Sequence, residues 1–164
     1  MCDTRHRLFF GVVLFALLLQ TGAAFCQQLT IQIGDGKPTV LTRADIEGLP
    51  HVKVSTSASG AAATFEGVAL EAVLEKAGVE FGTSLKGKRP ASYLLVEAAD
   101  GYRVVIALPE LDPAFTGKQV VLVFLKDGKP LDEKEGPYRI VMPDEKRMAR
   151  WVRQVTTLKI VDVQ

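Results

Sequence analysis

Alternating apolar and polar positions recur along most of the chain and predict a structure rich in short strands. Residues 29–33 alternate, Gly34-Asp35-Gly36 forms a tight turn, and residues 38–41 return as the second arm of a hairpin. Asp-Gly pairs recur at Asp100-Gly101 and Asp127-Gly128, where glycine favours the turn because it tolerates positive φ. Further strands are predicted over residues 51–55, 93–98, 102–108, 120–125, 138–142 and 158–163. The fourth of these is nearly all apolar and is expected to lie in the centre of a sheet.

Two segments show the features of a helix. Residues 70–77 carry apolar side chains at i, i+3, i+4 and i+7, and Gly78 follows as the C-terminal cap. A helix of one turn is expected after Thr42, because Thr42 and Asp45 resemble a capping box. Strands dominate, so the predicted fold class is α+β, or mainly β with inserted helices.

The segment 135–155 combines a turn, a strand and a basic stretch. Gly136-Pro137 leads into the strand 138–142, in which Arg139 lies on the opposite face from Tyr138, and the next residue is a proline. Apolar residues at 148, 151, 152 and 155 have helical spacing and predict one or two helical turns. Two interpretations stay open: cations presented to an anionic ligand, or a solvated basic face above a core tryptophan. The cations are Arg139, Lys146, Arg147, Arg150 and Arg153.

The first 26 residues have the pattern of a secretory signal peptide. Arg5 and Arg7 precede an apolar run over residues 8–19, and small residues follow at 22–24. This run is shorter than the ~20 apolar residues that a membrane span needs. Cleavage after Ala24 and cleavage after Cys26 both fit. We therefore expect a signal peptide over residues 1–26, one domain over residues 27–164, and a periplasmic or secreted protein.

The charge balance and the positions of the cysteines argue against two classes of function, nucleic-acid binding and metal binding. The chain has 20 Lys and Arg and 19 Asp and Glu, and removal of residues 1–26 leaves 18 of each. Such a balance gives no overall attraction to nucleic acid, so any anion site must be local. Both cysteines lie within residues 1–26 and His51 is the only histidine after them, so no metal site is predicted. The mixed charge run 132–135 is interpreted as a solvated loop, and no motif singles out a catalytic residue.

Several short motifs keep a fixed order over residues 30–161. They include Leu49-Pro50, Phe65-Glu66-Gly67, Ala99-Asp100-Gly101-Tyr102, Gly136-Pro137-Tyr138-Arg139-Ile140-Val141-Met142-Pro143 and Arg150-Trp151-Val152. In this order and spacing, the chain resembles the molybdopterin-binding oxidoreductase domain of the sulfite oxidase family. The resemblance implies a mixed, β-rich α+β fold that holds a molybdenum cofactor, whose pterin carries a phosphate.

The resemblance also implies which residues touch the cofactor. Arg139 and Arg150 match positions at which family members contact it, and an arginine fork suits a phosphate. Family enzymes ligate molybdenum with a cysteine, whose position falls here at or near Ser55, and no cysteine occurs from Gln27 onward. A serine hydroxyl is a far poorer ligand because it is not ionised at neutral pH.

Two functions follow from this combination. The first is an exported oxidoreductase-family protein that binds molybdopterin through Arg139, Arg150 and Ser55, without ordinary thiolate-ligated molybdenum catalysis. The second is a non-catalytic periplasmic binding or scaffold module that kept the fold and lost the cofactor. The expected partners are a small anionic ligand or pterin and a periplasmic or membrane redox partner, with no nucleic acid. A purely structural secreted domain would have no organised pocket.

Overall fold

The computed structural model describes residues 27–57, 62–85 and 91–163. The predicted signal peptide lies outside these ranges, and so do residues 58–61 of the segment 55–63, whose small Ser, Thr, Ala and Gly residues predict a loop. Within them the chain forms ten β-strands and two α-helices. The strands are β1 (Gln28–Ile33), β2 (Thr39–Thr42), β3 (His51–Thr56), β4 (Ala63–Ala69), β5 (Tyr93–Ala98), β6 (Arg103–Ala107), β7 (Val121–Lys126), β8 (Lys129–Pro130), β9 (Arg139–Val141) and β10 (Val155–Val161), and the helices are α1 (Arg43–Glu47) and α2 (Leu70–Lys76).

The strands form two five-stranded sheets. Sheet A has the order β2-β1-β10-β5-β6, and sheet B has the order β3-β4-β7-β8 with β9 also paired to β7. Strands β1 and β10 are parallel, and the other pairs are antiparallel. The predicted β-rich α+β class is confirmed, and so is the central position of β7, which has neighbours on both sides.

Buried side chains from both sheets and both helices form one hydrophobic core. Helix α2 contributes Leu70, Val73 and Leu74, as its apolar spacing predicts. Helix α1 contributes Ile46. Its capping box is present, because the Thr42 hydroxyl accepts a hydrogen bond from the Asp45 N–H at 3.2 Å while the Asp45 carboxylate accepts one from the Thr42 N–H at 2.9 Å.

The one or two helical turns predicted over residues 148–155 are present only in part. Only Met148–Arg150 forms a single 3₁₀ turn, and Val155 already begins β10. Trp151 and Val152 are buried, whereas Met148 remains 37% exposed. Helical spacing over so few residues also fits a turn that leads into a strand, and pairing of β10 with β1 and β5 decides between them.

His51, at the start of β3, links α1 to β4. Its Nδ1 atom lies 3.0 Å from the Glu66 carboxylate, and its Nε2 atom lies 3.0 Å from the backbone oxygen of Glu47. Because both neighbours accept hydrogen bonds, the imidazolium form satisfies both contacts. The hydrogen bond to Glu66, followed by that to Glu47, raises the pKa of His51 above its ordinary value. Glu66 is also paired with Lys53 at 3.2 Å.

This contact predicts a pH-dependent stability. A raised pKa in the folded state stabilises the protein fully below the unfolded value of about 6.5, and the stabilisation is lost as pH rises through the folded pKa. We therefore expect the free energy of unfolding to fall as the pH rises above the unfolded value of about 6.5, measured by urea denaturation at a series of pH values. In His51→Gln this fall should be absent, and an equal slope in both proteins would contradict the assignment.

Candidate functional site

A cleft of about 210 Å³ lies where two of the family-like motifs meet. We call it the Trp151 cleft; its lining residues are Asp100, Tyr102, Met148, Ala149, Trp151 and Arg153. Hydrogen bonds hold its walls in place: the Tyr102 hydroxyl donates to the Ala149 oxygen at 2.6 Å, and Trp151 Nε1 donates to the Met142 oxygen at 3.0 Å. The cleft is therefore formed by the Asp100-Gly101-Tyr102 turn on one side and by the basic segment 148–153 on the other.

Arg139 contacts the Trp151 ring and extends the site into the core. It lies on β9 opposite Val123 of β7, and its guanidinium carbon is 5.5 Å from the centre of the Trp151 ring and 5.3 Å from that of Phe65. The two rings meet edge to face at 88°. Stacking on aromatic rings suits the flat, weakly hydrated guanidinium.

A carboxylate joins Arg139 to a second cation. Arg139 Nη1 donates to Glu135 at 2.8 Å, and Lys126 Nζ lies 3.3 Å from the same oxygen. Residue Arg139 is only 7% exposed, and its Nε is buried without a hydrogen-bond partner among the residues that the structure describes. A buried unpaired donor costs about 1–3 kcal/mol. With two cations for one carboxylate and one unused donor, this cluster favours an anion.

Arg150 has a different environment. Its guanidinium contacts Glu145 and lies 3.2 Å from Glu110. Burial opposes the charge, but the hydrogen bonds that Arg150 donates to the two carboxylates outweigh it and raise the pKa of Arg150. One guanidinium against two carboxylates gives a net negative group. An anion would therefore have to displace a carboxylate to bind here.

Ser55 lies on β3, at the end of the strand predicted over residues 51–55. Its hydroxyl is exposed and 3.1 Å from the Thr64 hydroxyl. Ser55 pairs with Thr64 and the neighbouring Val54 pairs with Phe65, and successive side chains on a strand point to opposite faces. Ser55 therefore lies on the opposite face of sheet B from Phe65, whose ring contacts the Arg139 guanidinium. The structure does not bring Ser55 to Arg139, and cofactor binding by Ser55, Arg139 and Arg150 stays a prediction.

The residues around Arg139 could not be found from local sequence patterns. Glu135 belongs to the run expected to be a solvated loop, yet its side chain is only 16% exposed and binds two cations. Lys126 lies at the end of β7 and reaches Glu135 because β7 is the neighbour of β9. The available signal was the presence of Phe65 and Arg139 in separate family-like motifs.

The chain belongs to the oxidoreductase molybdopterin-binding domain family, whose family model matches residues 27–164. This confirms the resemblance seen in the motifs. The fold is similar to that of sulfane dehydrogenase SoxCD from Paracoccus pantotrophus, with a TM-score of 0.64 and 23% sequence identity. The match covers 84% of this chain and 38% of that one. At this level of identity the similarity establishes the fold alone. No curated protein matches the chain.

The residues fit one part of the family cofactor and not another. The Arg139 cluster offers an unused donor for a phosphate or other anion, but no thiolate for molybdenum occurs between residues 27 and 164. Within the described ranges, no three His, Cys, Asp or Glu side chains are placed to hold a metal ion, and no helix there is long and apolar enough to cross a membrane. The volume of the Trp151 cleft, about 210 Å³, is below the roughly 300–1,000 Å³ of usual ligand pockets.

Proposed function

We propose that this protein is an exported member of the molybdopterin-binding domain family that binds a pterin or related anion without thiolate-ligated molybdenum catalysis. The absence of cysteine from residues 27–164 carries this proposal. Ser55, which lies at or near the matching position, is exposed and hydrogen-bonded to another hydroxyl. A neutral hydroxyl does not replace a thiolate as a ligand.

The anion-binding half of the proposal rests on Arg139. Trp151 lines the cleft on the surface and also contacts the Arg139 guanidinium, so the cleft and the cationic cluster share one side chain. The unused Nε and the second cation, Lys126, favour an anionic group near this ring. Arg153 lines the cleft as well and supplies a further exposed cation.

The proposed export favours a redox partner in the periplasm or the membrane. The basic start and apolar run of residues 1–26 are typical of a signal peptide. The protein would then act in the periplasm or be secreted, where a periplasmic or membrane redox partner would serve the cofactor-bound form.

A non-catalytic binding or scaffold module is the second candidate. Two observations favour it: Arg150 is already held by Glu110 and Glu145, and the small Trp151 cleft does not enclose a whole pterin cofactor. In that case the family fold would bind a smaller anion or a protein.

Cofactor content of the protein purified from its native periplasm separates the two candidates. We expect about one pterin per chain, measured by the fluorescence of the oxidised pterin with molybdenum determined in parallel by mass spectrometry. Absence of pterin and molybdenum would reject the first candidate and leave the second. Pterin loading should fall in Arg153→Ala and stay unchanged in Lys129→Ala, which removes an exposed cation outside the cleft.

The same preparation tests export. The intact mass should correspond to a chain that begins just after Ala24 or Cys26. A full-length chain retained in the cytoplasm would contradict the proposed localisation.

A further inference from the structure

A second cavity, of about 270 Å³, lies between β3, the start of α2 and the segment that leads into β7. We call it the Glu71 cavity. Its lining residues all differ from those of the Trp151 cleft, so a ligand there would be independent of the proposed pterin site. Its walls are largely apolar, and the apolar residues are Val52, Ala69, Leu111, Pro113, Val120 and Val121.

Backbone contacts hold these walls in place before any ligand arrives. The Leu70 N–H donates to the Val120 oxygen at 2.9 Å, which fixes α2 against the strand entry. The buried Asp112 carboxylate accepts hydrogen bonds from the N–H groups of Gly82 at 2.6 Å and Ala114 at 2.8 Å. A preformed apolar cavity with a few polar groups is typical of small-molecule sites.

Glu71 places a carboxylate on this cavity. Within residues 27–57, 62–85 and 91–163 it has neither an ion pair nor a hydrogen bond through its side chain. Burial, followed by the charges of Glu75 and Asp112, raises the pKa of Glu71. A half-buried carboxylate that has acidic neighbours, and with which no cation is paired in the described part of the chain, is stabilised by a positively charged ligand.

Lys118 places the opposite charge on the same cavity. It is exposed, and in the described part of the chain its ammonium group makes no ion pair within 4 Å. Burial raises the pKa of Glu110, but hydrogen bonds from Arg150 and from the Ala107 N–H outweigh it, and the charge of Lys118 lowers this pKa further. The cavity thus carries one carboxylate, one ammonium group and an apolar wall.

We propose that the Glu71 cavity binds a small zwitterion with an apolar side chain, of the class of the aliphatic α-amino acids. The ligand ammonium would pair with Glu71, its carboxylate with Lys118, and its side chain would contact the wall around Val52, Leu111 and Val120. The size agrees, because the cavity lies just below the roughly 300–1,000 Å³ of drug-sized ligands.

L-Leucine is the probe, titrated into the purified protein and followed by amide chemical shifts. We expect saturable binding that shifts residues around the cavity and leaves Trp151 unchanged. Two analogues separate the charges: 3-methylbutylamine lacks the carboxylate, and 4-methylpentanoate lacks the ammonium group. Each should bind at least about tenfold more weakly than L-leucine, a difference of about 1.4 kcal/mol.

Variants assign each charge to its residue. Glu71→Gln should weaken the binding of L-leucine and 3-methylbutylamine about tenfold and leave that of 4-methylpentanoate unaffected. Lys118→Gln should weaken the binding of L-leucine and 4-methylpentanoate and leave that of 3-methylbutylamine unaffected. Glu75→Gln is the matched control, because Glu75 is exposed on the same helix and does not line the cavity. Its charge acts on Glu71 without direct contact with the ligand, so the change in L-leucine affinity should stay well below that of Glu71→Gln. Trp151 fluorescence verifies that each variant is folded.

Two results would overturn the proposal. One is the lack of saturable L-leucine binding at about 10 mM, which corresponds to a binding free energy weaker than about −2.7 kcal/mol. The other is an equal effect of Glu71→Gln and Glu75→Gln. Neither result would bear on pterin content, so this proposal and the proposed function fail separately.

Discussion

Replacing Gly67 by alanine is expected to lower the free energy of unfolding by more than about 4 kcal/mol. Gly67 lies in β4, which is paired with β3 on one side and β7 on the other, next to the irregularity in its pairing with β7. A Cβ atom at this position would lie 2.1 Å from the backbone oxygen of Leu122 and 2.5 Å from Cα of Val123. Both contacts are with backbone, which cannot rotate away, so β4 and β7 would have to separate.

Urea denaturation followed by circular dichroism and by fluorescence would measure this effect. The chain has one tryptophan, so the fluorescence reports on Trp151. This side chain lies in the core against Phe65, which is on β4 together with Gly67. Gly117→Ala is the matched control, since a Cβ there meets no atom within 4 Å, and its stability should change by less than about 0.5 kcal/mol. Equal stability of the two variants would show that the strands do not approach as described.

Replacing Arg139 by alanine is expected to cost about 3 kcal/mol, near the lower end of the range for breaking a buried ion pair. The side chains of Arg139 and Glu135 are 8% and 16% exposed. The loss of stability should not reach the upper end of this range, because Glu135 keeps its second cation, Lys126. Alanine also leaves a void between the rings of Phe65 and Trp151, which now contact the guanidinium.

Comparison variants separate the charge of Arg139 from its packing. Arg139→Met keeps most of the volume between the rings and removes the unpaired Nε, so its loss should be smaller than that of Arg139→Ala. In a Glu135→Gln background, the cost of Arg139→Ala should fall, because the two residues are coupled. Arg153→Ala, at an exposed position, should change little. If Arg139→Ala were as mild as Arg153→Ala, the buried cluster would not exist in solution.

Both predictions give a physical reason for motifs that first pointed to the family. Within Phe65-Glu66-Gly67, the aromatic ring makes a cation–π contact with Arg139, the carboxylate binds His51 and Lys53, and the glycine allows β7 to approach. These three roles are structural. A motif match of this kind establishes the fold and the family, whereas the chemistry depends on the ligand set around the site.

Local pattern was sufficient for much of the fold. The apolar alternation of β5, the helical spacing of α2 and the capping box of α1 all lie within short segments, and each agrees with the structure. Local pattern also accounts for the Asp127-Gly128 turn, where both residues have positive φ. It was misleading at residues 148–155, where the spacing of a few apolar residues fits a helix and a strand entry equally well.

The candidate site required the tertiary structure, because alternation tells which face of its own strand a side chain takes but not which strand lies beside it. The order β4-β7-β9 brings Phe65, Lys126 and Arg139 together from distant parts of the chain. The pairing of β3 with β4 places Ser55 on the other face of sheet B from Phe65. The sequence alone therefore showed that a thiolate is missing after residue 26, whereas strand pairing decided where Arg139, Arg150 and Ser55 lie and which charges neutralise the two arginines.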